Sequence, residues 1–158
     1  MAIAYRCNKA EGITYAVWDG IVTLDEWLRS FHKQVKDRDW PAGRLYLSDL
    51  RFGSLHASIG ERELQHMAEL YGVHLERLKV VLKHAIVAPT QFRQAMLFDR
   101  FVSRFPITVI VFGDCGTACT WLGADVKVAV ETLEQLRSTL RGQTAGDTSK
   151  SASCGPSI

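Results

Sequence analysis

The chain lacks a dominant charge: 19 basic residues against 17 acidic ones leave +2. That balance leaves no electrostatic footprint for nucleic acid or an anionic membrane surface, so no nucleic-acid partner is expected. No apolar run approaches the roughly 18 residues of a membrane span, and no transmembrane segment is expected. Neither the GxGxxG pattern nor the P-loop pattern occurs, which leaves nucleotide binding without its glycine-loop signatures. The five histidines, His32, His56, His66, His74 and His84, show no HxxxH spacing. No metal or cofactor is expected from them. The first residues, Met1-Ala2-Ile3-Ala4-Tyr5-Arg6, lack a basic region, an apolar stretch and a cleavage site, so a cytoplasmic location is expected.

Cysteine is scarce, with Cys7, Cys115, Cys119 and Cys154 making four. A chain of this size without a signal peptide rarely needs disulfides. Cys115 and Cys119 are four apart and share a face if their segment is helical. Two thiolates at that spacing could hold a metal or act as a redox pair, but no second Cys/His pair with ligand spacing accompanies them. They are read as buried reduced thiols.

What is present is an ordinary apolar content of 47% in 158 residues, enough for one domain with a real core. The hydrophobic pattern alternates between short β-branched runs and helical stripes. Residues 2–7 and 13–19 read as a hairpin joined by Asn8-Lys9-Ala10-Glu11-Gly12, with Asp19-Gly20 ending its second strand. Thr23-Leu24-Asp25-Glu26 is a capping box that opens a helix burying Leu24, Trp27, Leu28, Phe31 and Val35. Residues 44–49 read as the third strand, and Phe52 to Ala57 as a loop. Ser58-Ile59-Gly60-Glu61 reads as a second capping box. It precedes a helical stripe of Leu64, Met67, Ala68, Tyr71, Leu75 and Leu78, in which Gly72 is a candidate break. Residues 84–88 form the fourth strand, stopped by Pro89. Thr90 is expected to cap a helix over about 91–104. Residues 107–112 form the fifth strand. Asp114 caps a short helix that Gly123 terminates. A last helix over about 126–141 carries Val126, Ala129, Val130, Leu133, Leu136 and Leu140. Residues 1–141 are therefore expected to form a single domain. The Gly/Ser/Thr-rich residues 142–158 are expected to form a flexible tail.

The chemistry is less legible. Asp49 and Arg51 are placed at the carboxyl end of a strand, where α/β sheets bind ligands, with Phe52 and His56 in the loop beyond. The free N–H groups after Thr90 would favour an anion there. The alternative is that Asp49 bonds nearby backbone and Arg51 pairs with a surface carboxylate. Ser54, His56 and Asp49 could be imagined as a triad, but no nucleophile elbow is present, so no catalytic residue is assigned. Phe92, Phe98, Phe101 and Phe105, with Met96 and Met67, are either core or one wall of an apolar pocket.

The order β-β-α-β-α-β-α-β-α resembles the SpoIIAA-like family, which is related to STAS and Sec14-type domains. The likeness is carried by five groups of residues: Gly20 with Thr23-Leu24-Asp25-Glu26; Trp40 and Gly43; Leu47-Ser48-Asp49-Leu50-Arg51; Ala85-Ile86-Val87-Ala88-Pro89; and Val111-Phe112-Gly113-Asp114 with Ala118, Trp121, Leu122 and Gly123. It covers about residues 1–123. The resemblance implies a β-α superhelical fold, a five-stranded mixed sheet with helices mainly on one face, plus the extra C-terminal helix. It implies a binding or regulatory domain that recognises a partner protein or a small apolar or amphipathic ligand. The alternative is a hydrolase-like enzyme centred on the loop 49–58. STAS regulators carry a phosphorylatable serine before the helix that follows the third strand, and the corresponding region here offers Ser54 and Ser58. The usual Asp-Ser pair is missing, since Ala57 precedes Ser58, and Ser58 already reads as a helix cap. A one-sided helical layer would leave the other sheet face and the last helix's apolar stripe needing cover. A homodimer is expected to supply it.

Overall fold

The protein was analysed as a computed structural model that describes the backbone of residues 2–151 and the side chains of residues 2–143. Ten elements run in the order β1 (Ile3–Asn8), β2 (Ile13–Val22), α1 (Leu24–Lys36), β3 (Leu45–Leu55), α2 (Glu61–Leu78), β4 (Leu82–Val87), α3 (Phe92–Val102), β5 (Ile107–Phe112), α4 (Cys115–Leu122) and α5 (Val126–Ser151). The strands lie side by side in sequence order, with β1 antiparallel to β2 and every other pair parallel. This is an α/β fold on a five-stranded mixed sheet, as expected from the alternating pattern. No helix among the described residues is long and apolar enough to cross a membrane.

The strand order dictates where the first three helices go. Three successive parallel crossovers advance in one direction, and right-handed connections then place α1, α2 and α3 on one face. Trp27 and Phe31 of α1, Met67 and Leu75 of α2, and Phe98 and Val102 of α3 bury there against Ala16, Trp18, Tyr46, Ile86 and Val109 of the sheet. The expectation of helices mainly on one face stops at this point. Among the described residues no strand follows α4 or α5, so no crossover holds them to that side. They turn onto the opposite face, where Cys115, Cys119, Ala129, Leu133 and Leu140 pack on Tyr15, Val17, Leu47, Ala85 and Val87. Both faces are covered, which is what a mostly parallel sheet requires. Leu133, Leu136 and Leu140 of the α5 stripe that motivated a homodimer are therefore buried inside the chain, while Val126 at its start is exposed. The α5 backbone also stays helical to Ser151, well past the expected end near residue 141, while residues 152–158 lie outside those described.

Local chemistry explains most element ends. The α1 capping box is as read: Thr23 Oγ1 accepts the Glu26 N–H at 3.3 Å and Glu26 Oε2 accepts the Thr23 N–H at 2.9 Å. Asp114 caps α4 by accepting the Thr117 N–H at 2.8 Å, and Gly123 closes it in the left-handed region. Helix α2 does not break at Gly72. The glycine is there because the Phe105 ring lies where a Cβ would stand.

Two strands are longer than expected. β2 continues through Asp19-Gly20 to Val22, and β3 continues to Leu55. Their register steps from Val17↔Asp49 to Asp19↔Phe52, so Leu50 and Arg51 oppose the single residue Trp18 in a β-bulge. Irregular composition around Gly53 hides this extension in the sequence. Gly53 is required by close approach, since a Cβ there would stand 2.8 Å from Trp18.

Because α5 contributes Ala129, Leu133, Leu136 and Leu140 to the second core, truncation of Leu133 to Ala should lower stability by about 2–5 kcal/mol in urea unfolding. Deletion from Ala124 onward should abolish the cooperative transition. A deletion product that still unfolds cooperatively would show that α5 is dispensable.

Candidate functional site

A cavity of about 60 Å³ lies beneath α2 and α3. Strand alternation builds its floor. Tyr46, Ser48 and Leu50 of β3 and Leu82, His84 and Ile86 of β4 all point toward the α1–α3 face. Parallel pairing sets Tyr46 opposite His84, and the two rings stack with centroids 4.4 Å apart and planes 13° apart. His84 Nε2 lies 2.8 Å from Ser48 Oγ. Deeper in, Gln34 Nε2 donates to the Tyr46 hydroxyl at 3.2 Å, and the Tyr71 hydroxyl donates to Gln34 Oε1 at 3.3 Å. The buried Trp27 indole N–H has no hydrogen-bond partner among the described residues. The remaining wall is apolar, from Trp18, Leu64, Ala95, Phe98 and Ile107.

Every lining side chain is uncharged near neutral pH. Burial holds His84 as the neutral imidazole, with its pKa pushed down to about 3. Burial likewise pushes the Tyr46 phenol up to about 12, against the hydrogen bonds it receives. Tyr71 is raised well above its ordinary value for the same reason.

Gln91 and Gln94 are the half-buried polar residues of the lining and mark its rim. Gln91 Oε1 accepts the Leu55 N–H at 3.2 Å, tying the end of β3 to the start of α3. Gln91, not Thr90, occupies the N-cap position of α3 and makes no capping bond. The first turn carries no acidic residue either. The rim therefore rests on a helix end with unsatisfied N–H groups, which is cheap to open.

Asp49 and Arg51 lie on the other face. Asp49 is mid-strand rather than at a carboxyl end, fully buried, and held between two guanidinium groups. Arg51 binds it through Nε at 2.9 Å and Nη2 at 2.8 Å, and Arg137 of α5 through Nη2 at 2.6 Å. Burial alone would raise the Asp49 pKa. The Arg51 side-chain and backbone N–H bonds and the two positive charges outweigh it and hold the carboxylate ionised. The Phe52 ring, exposed at its outer side, carries the Arg137 guanidinium 4.4 Å from its centroid. This is a buried ion pair that fastens α5 to β3, and it does not meet the cavity. Asp49 does accept a nearby backbone N–H, that of Arg51 at 3.0 Å, but Arg51 pairs with this buried carboxylate and not with a surface one, and Arg137 is the partner the sequence did not reveal.

The other expected site residues are scattered. Phe92 and Met96 project outward from α3, whereas Ala95 and Phe98 of the same helix line the cavity. Thr90 is exposed and caps nothing. Ser54 is half-buried within β3, paired with Ile21. Ser58 is not the α2 cap: Gly60 holds that position, and its N–H donates to Glu63 Oε2 at 2.9 Å. Ser58 Oγ instead lies 2.8 Å from His56 Nδ1, which also accepts the Ser58 N–H at 3.2 Å. This is an exposed two-residue turn. No carboxylate orients His56 among the described residues, and the Ser54–His56–Asp49 set is not assembled. Ser48, His84, Gln34 and Tyr71 were missed. The available signal was period-2 alternation, which places His84 on the same strand face as Leu82 and Ile86.

No protein-family model matches this chain, and no curated protein matches it.

Two measurements follow. The unfolded state takes up a proton at His84 below pH 6.5 while the folded state does not until about pH 3, so stability falls with acidity across that window. The slope is about 1.4 kcal/mol per pH unit for one proton. His84→Gln should remove that slope between pH 6 and 5 in paired denaturant titrations, and an unchanged slope would contradict a neutral buried imidazole. Asp49→Asn should destabilise the domain by about 3–5 kcal/mol, because it strands Arg137 without its counter-charge.

Proposed function

We propose that this protein is a non-catalytic binding domain whose cavity beneath α2 and α3 takes a small, uncharged apolar or amphipathic molecule. The observation that carries this reading is the chemistry of the lining. Aromatic and aliphatic walls surround one compact polar pair, Ser48–His84, and no ionised side chain meets the space. Such a site favours a hydrocarbon or aryl body with one hydroxyl or carbonyl group, and it rejects a carboxylate or ammonium, whose desolvation nothing would offset.

The cavity as it stands, about 60 Å³, is below the several hundred Å³ of drug-sized sites. A ligand of more than a few atoms enters by lifting the uncapped first turn of α3, the least anchored part of the rim. The SpoIIAA-like resemblance, with its link to Sec14-type domains, supports a binding role of this kind. A second reading, recognition of a partner protein, is favoured by a groove of about 380 Å³ between α1 and α2. Phe31, Val35, Leu70 and Val73 line it, with His66, His74, Glu69 and Arg77. The hydrolase alternative rests on the His56–Ser58 pair, which lacks an orienting carboxylate.

The test uses N-phenyl-1-naphthylamine, a neutral fluorescent aryl probe, with Trp18 and Trp27 as internal reporters. Binding should change tryptophan emission, and Ala95→Phe, which fills the cavity from α3, should weaken it at least about tenfold. The anionic sulfonate of the same ring system should bind more weakly than the neutral probe. Equal affinity in wild type and Ala95→Phe would place the probe elsewhere and remove the proposal.

A further inference from the structure

Cys115 and Cys119 play no part in the cavity, yet their placement is that of a reactive pair. Cys115 is the first residue of α4, and Cys119 lies one turn on, with the two sulfurs 3.8 Å apart. Cys119 is fully buried and Cys115 nearly so, at 6% exposure, among the residues of the second core. We propose that Cys115 and Cys119 form a redox-active dithiol that a peroxide oxidises to a disulfide within α4.

The surroundings distinguish the two sulfurs. The two sulfurs are within S–H···S reach, and a Cys119 S–H turned toward Cys115 favours a thiolate there. Burial opposes the charge, and the nearby Arg51 guanidinium supports it against Asp49 and Asp114. Cys119 is held as the thiol by the same contact and by burial. Position at a helix N-terminus and a neighbouring cation are the settings that make a cysteine nucleophilic. The chemistry divides accordingly. A lone pair of the Cys115 thiolate attacks one peroxide oxygen, the O–O bond breaks, and Cys115 becomes a sulfenic acid while hydroxide leaves. The Cys119 sulfur then attacks the Cys115 sulfur, and the S–O bond breaks. The departing hydroxide takes the Cys119 proton as water. The two cysteines lose two electrons and the peroxide gains them.

Helix geometry sets the structural consequence. Residues four apart in a regular helix have Cα atoms about 6.2 Å apart, inside the disulfide range, but their Cβ atoms diverge beyond the roughly 4.5 Å that a disulfide spans. The first turn of α4 must therefore unwind to close the bond. It is suited to do so. Gly113 precedes the Asp114 cap and Gly116 follows Cys115, and α4 is only eight residues long. A Cβ at Gly116 would meet nothing nearer than Asp114 Oδ1 at 3.4 Å, so the glycine is not there for lack of space. Unwinding also exposes Cys115 to the oxidant.

The experiment treats the full chain with hydrogen peroxide, blocks remaining thiols with N-ethylmaleimide, and maps the cysteine peptides by mass. The expected product is a Cys115–Cys119 disulfide, two hydrogens lighter and reversed by dithiothreitol. It should form at least about tenfold faster than Cys7 is oxidised. Cys119→Ser should stop at a sulfenic acid on Cys115 that dimedone traps. Gly116→Ala should slow disulfide formation about fivefold, because alanine favours the helical turn that has to open. Recovery of both thiols alkylated once Cys7 has been oxidised would overturn the proposal, as would pairing of either sulfur with a different cysteine. An unchanged rate in Gly116→Ala would overturn the unwinding step.

Discussion

The pairing of β2 with β3 is the constraint on which the rest of the molecule depends. These two strands run together from Ile13↔Leu45 to Val22↔Leu55, interrupted once by the bulge opposite Trp18. Before the bulge, β3 alternates strictly, with Tyr46 and Ser48 to the cavity and Leu47 and Asp49 to α4 and α5. The bulge offsets that alternation. Beyond it, Phe52 lies under the α5 guanidinium groups while Leu55 reaches the cavity rim. A one-residue slip would exchange these sets and put the Asp49 charge into the apolar space.

The two faces carry different polar solutions. On the cavity side the buried polar groups are neutral, and the Ser48–His84 and Tyr46–Gln34–Tyr71 groups bond to one another, so they set an orientation without a net charge. On the α5 side the buried polar atoms are ions. A buried ion pair contributes little net stability against an apolar replacement, because desolvation offsets the attraction. What Asp49–Arg137 contributes is position. It fixes the rotation of α5 on the sheet, and the Arg141–Asp19 pair at 3.0 Å and the Arg6–Gln135 bond at 2.8 Å hold the same helix along β1 and β2. Among the described residues Arg137 Nε has no partner, so the pair is not fully satisfied there.

Much of the fold was legible in the sequence because its signals are local. The Thr23–Glu26 box, the Asp114 cap, the Gly123 stop and the β-branched runs each report on a few neighbouring residues, and all of them appear in the structure. The misreadings arise where the decision is made at a distance. Ser58 has the composition of a cap, but the chain turns two residues later and Gly60 takes the position. Gly20 and Gly53 have the composition of strand ends, yet the strands pass through them because they pair with each other. Phe92 and Met96 have the bulk of core residues, yet they point outward while Ala95 and Phe98 of the same helix face inward. The cavity chemistry was the least legible part. Ser48 and His84 are 36 residues apart and meet only through strand register. Arg137 reaches Asp49 across 88 residues.

The late placement of α5 bears on how the protein is made. When the ribosome has delivered everything through α4, the sheet is complete and α4 covers β3 and β4, but Tyr15 and Val17 of β2 still face water where α5 will lie. The 26 residues of α5 take about one to five seconds to add at ordinary elongation rates. For that interval the nascent domain presents a flat apolar surface, the kind of transient exposure that aggregation and chaperone capture exploit. Closure then requires the newest segment of the chain to find the oldest strands. Synonymous codons that slow or hasten this stretch would change how long that surface stays open, without altering a single residue.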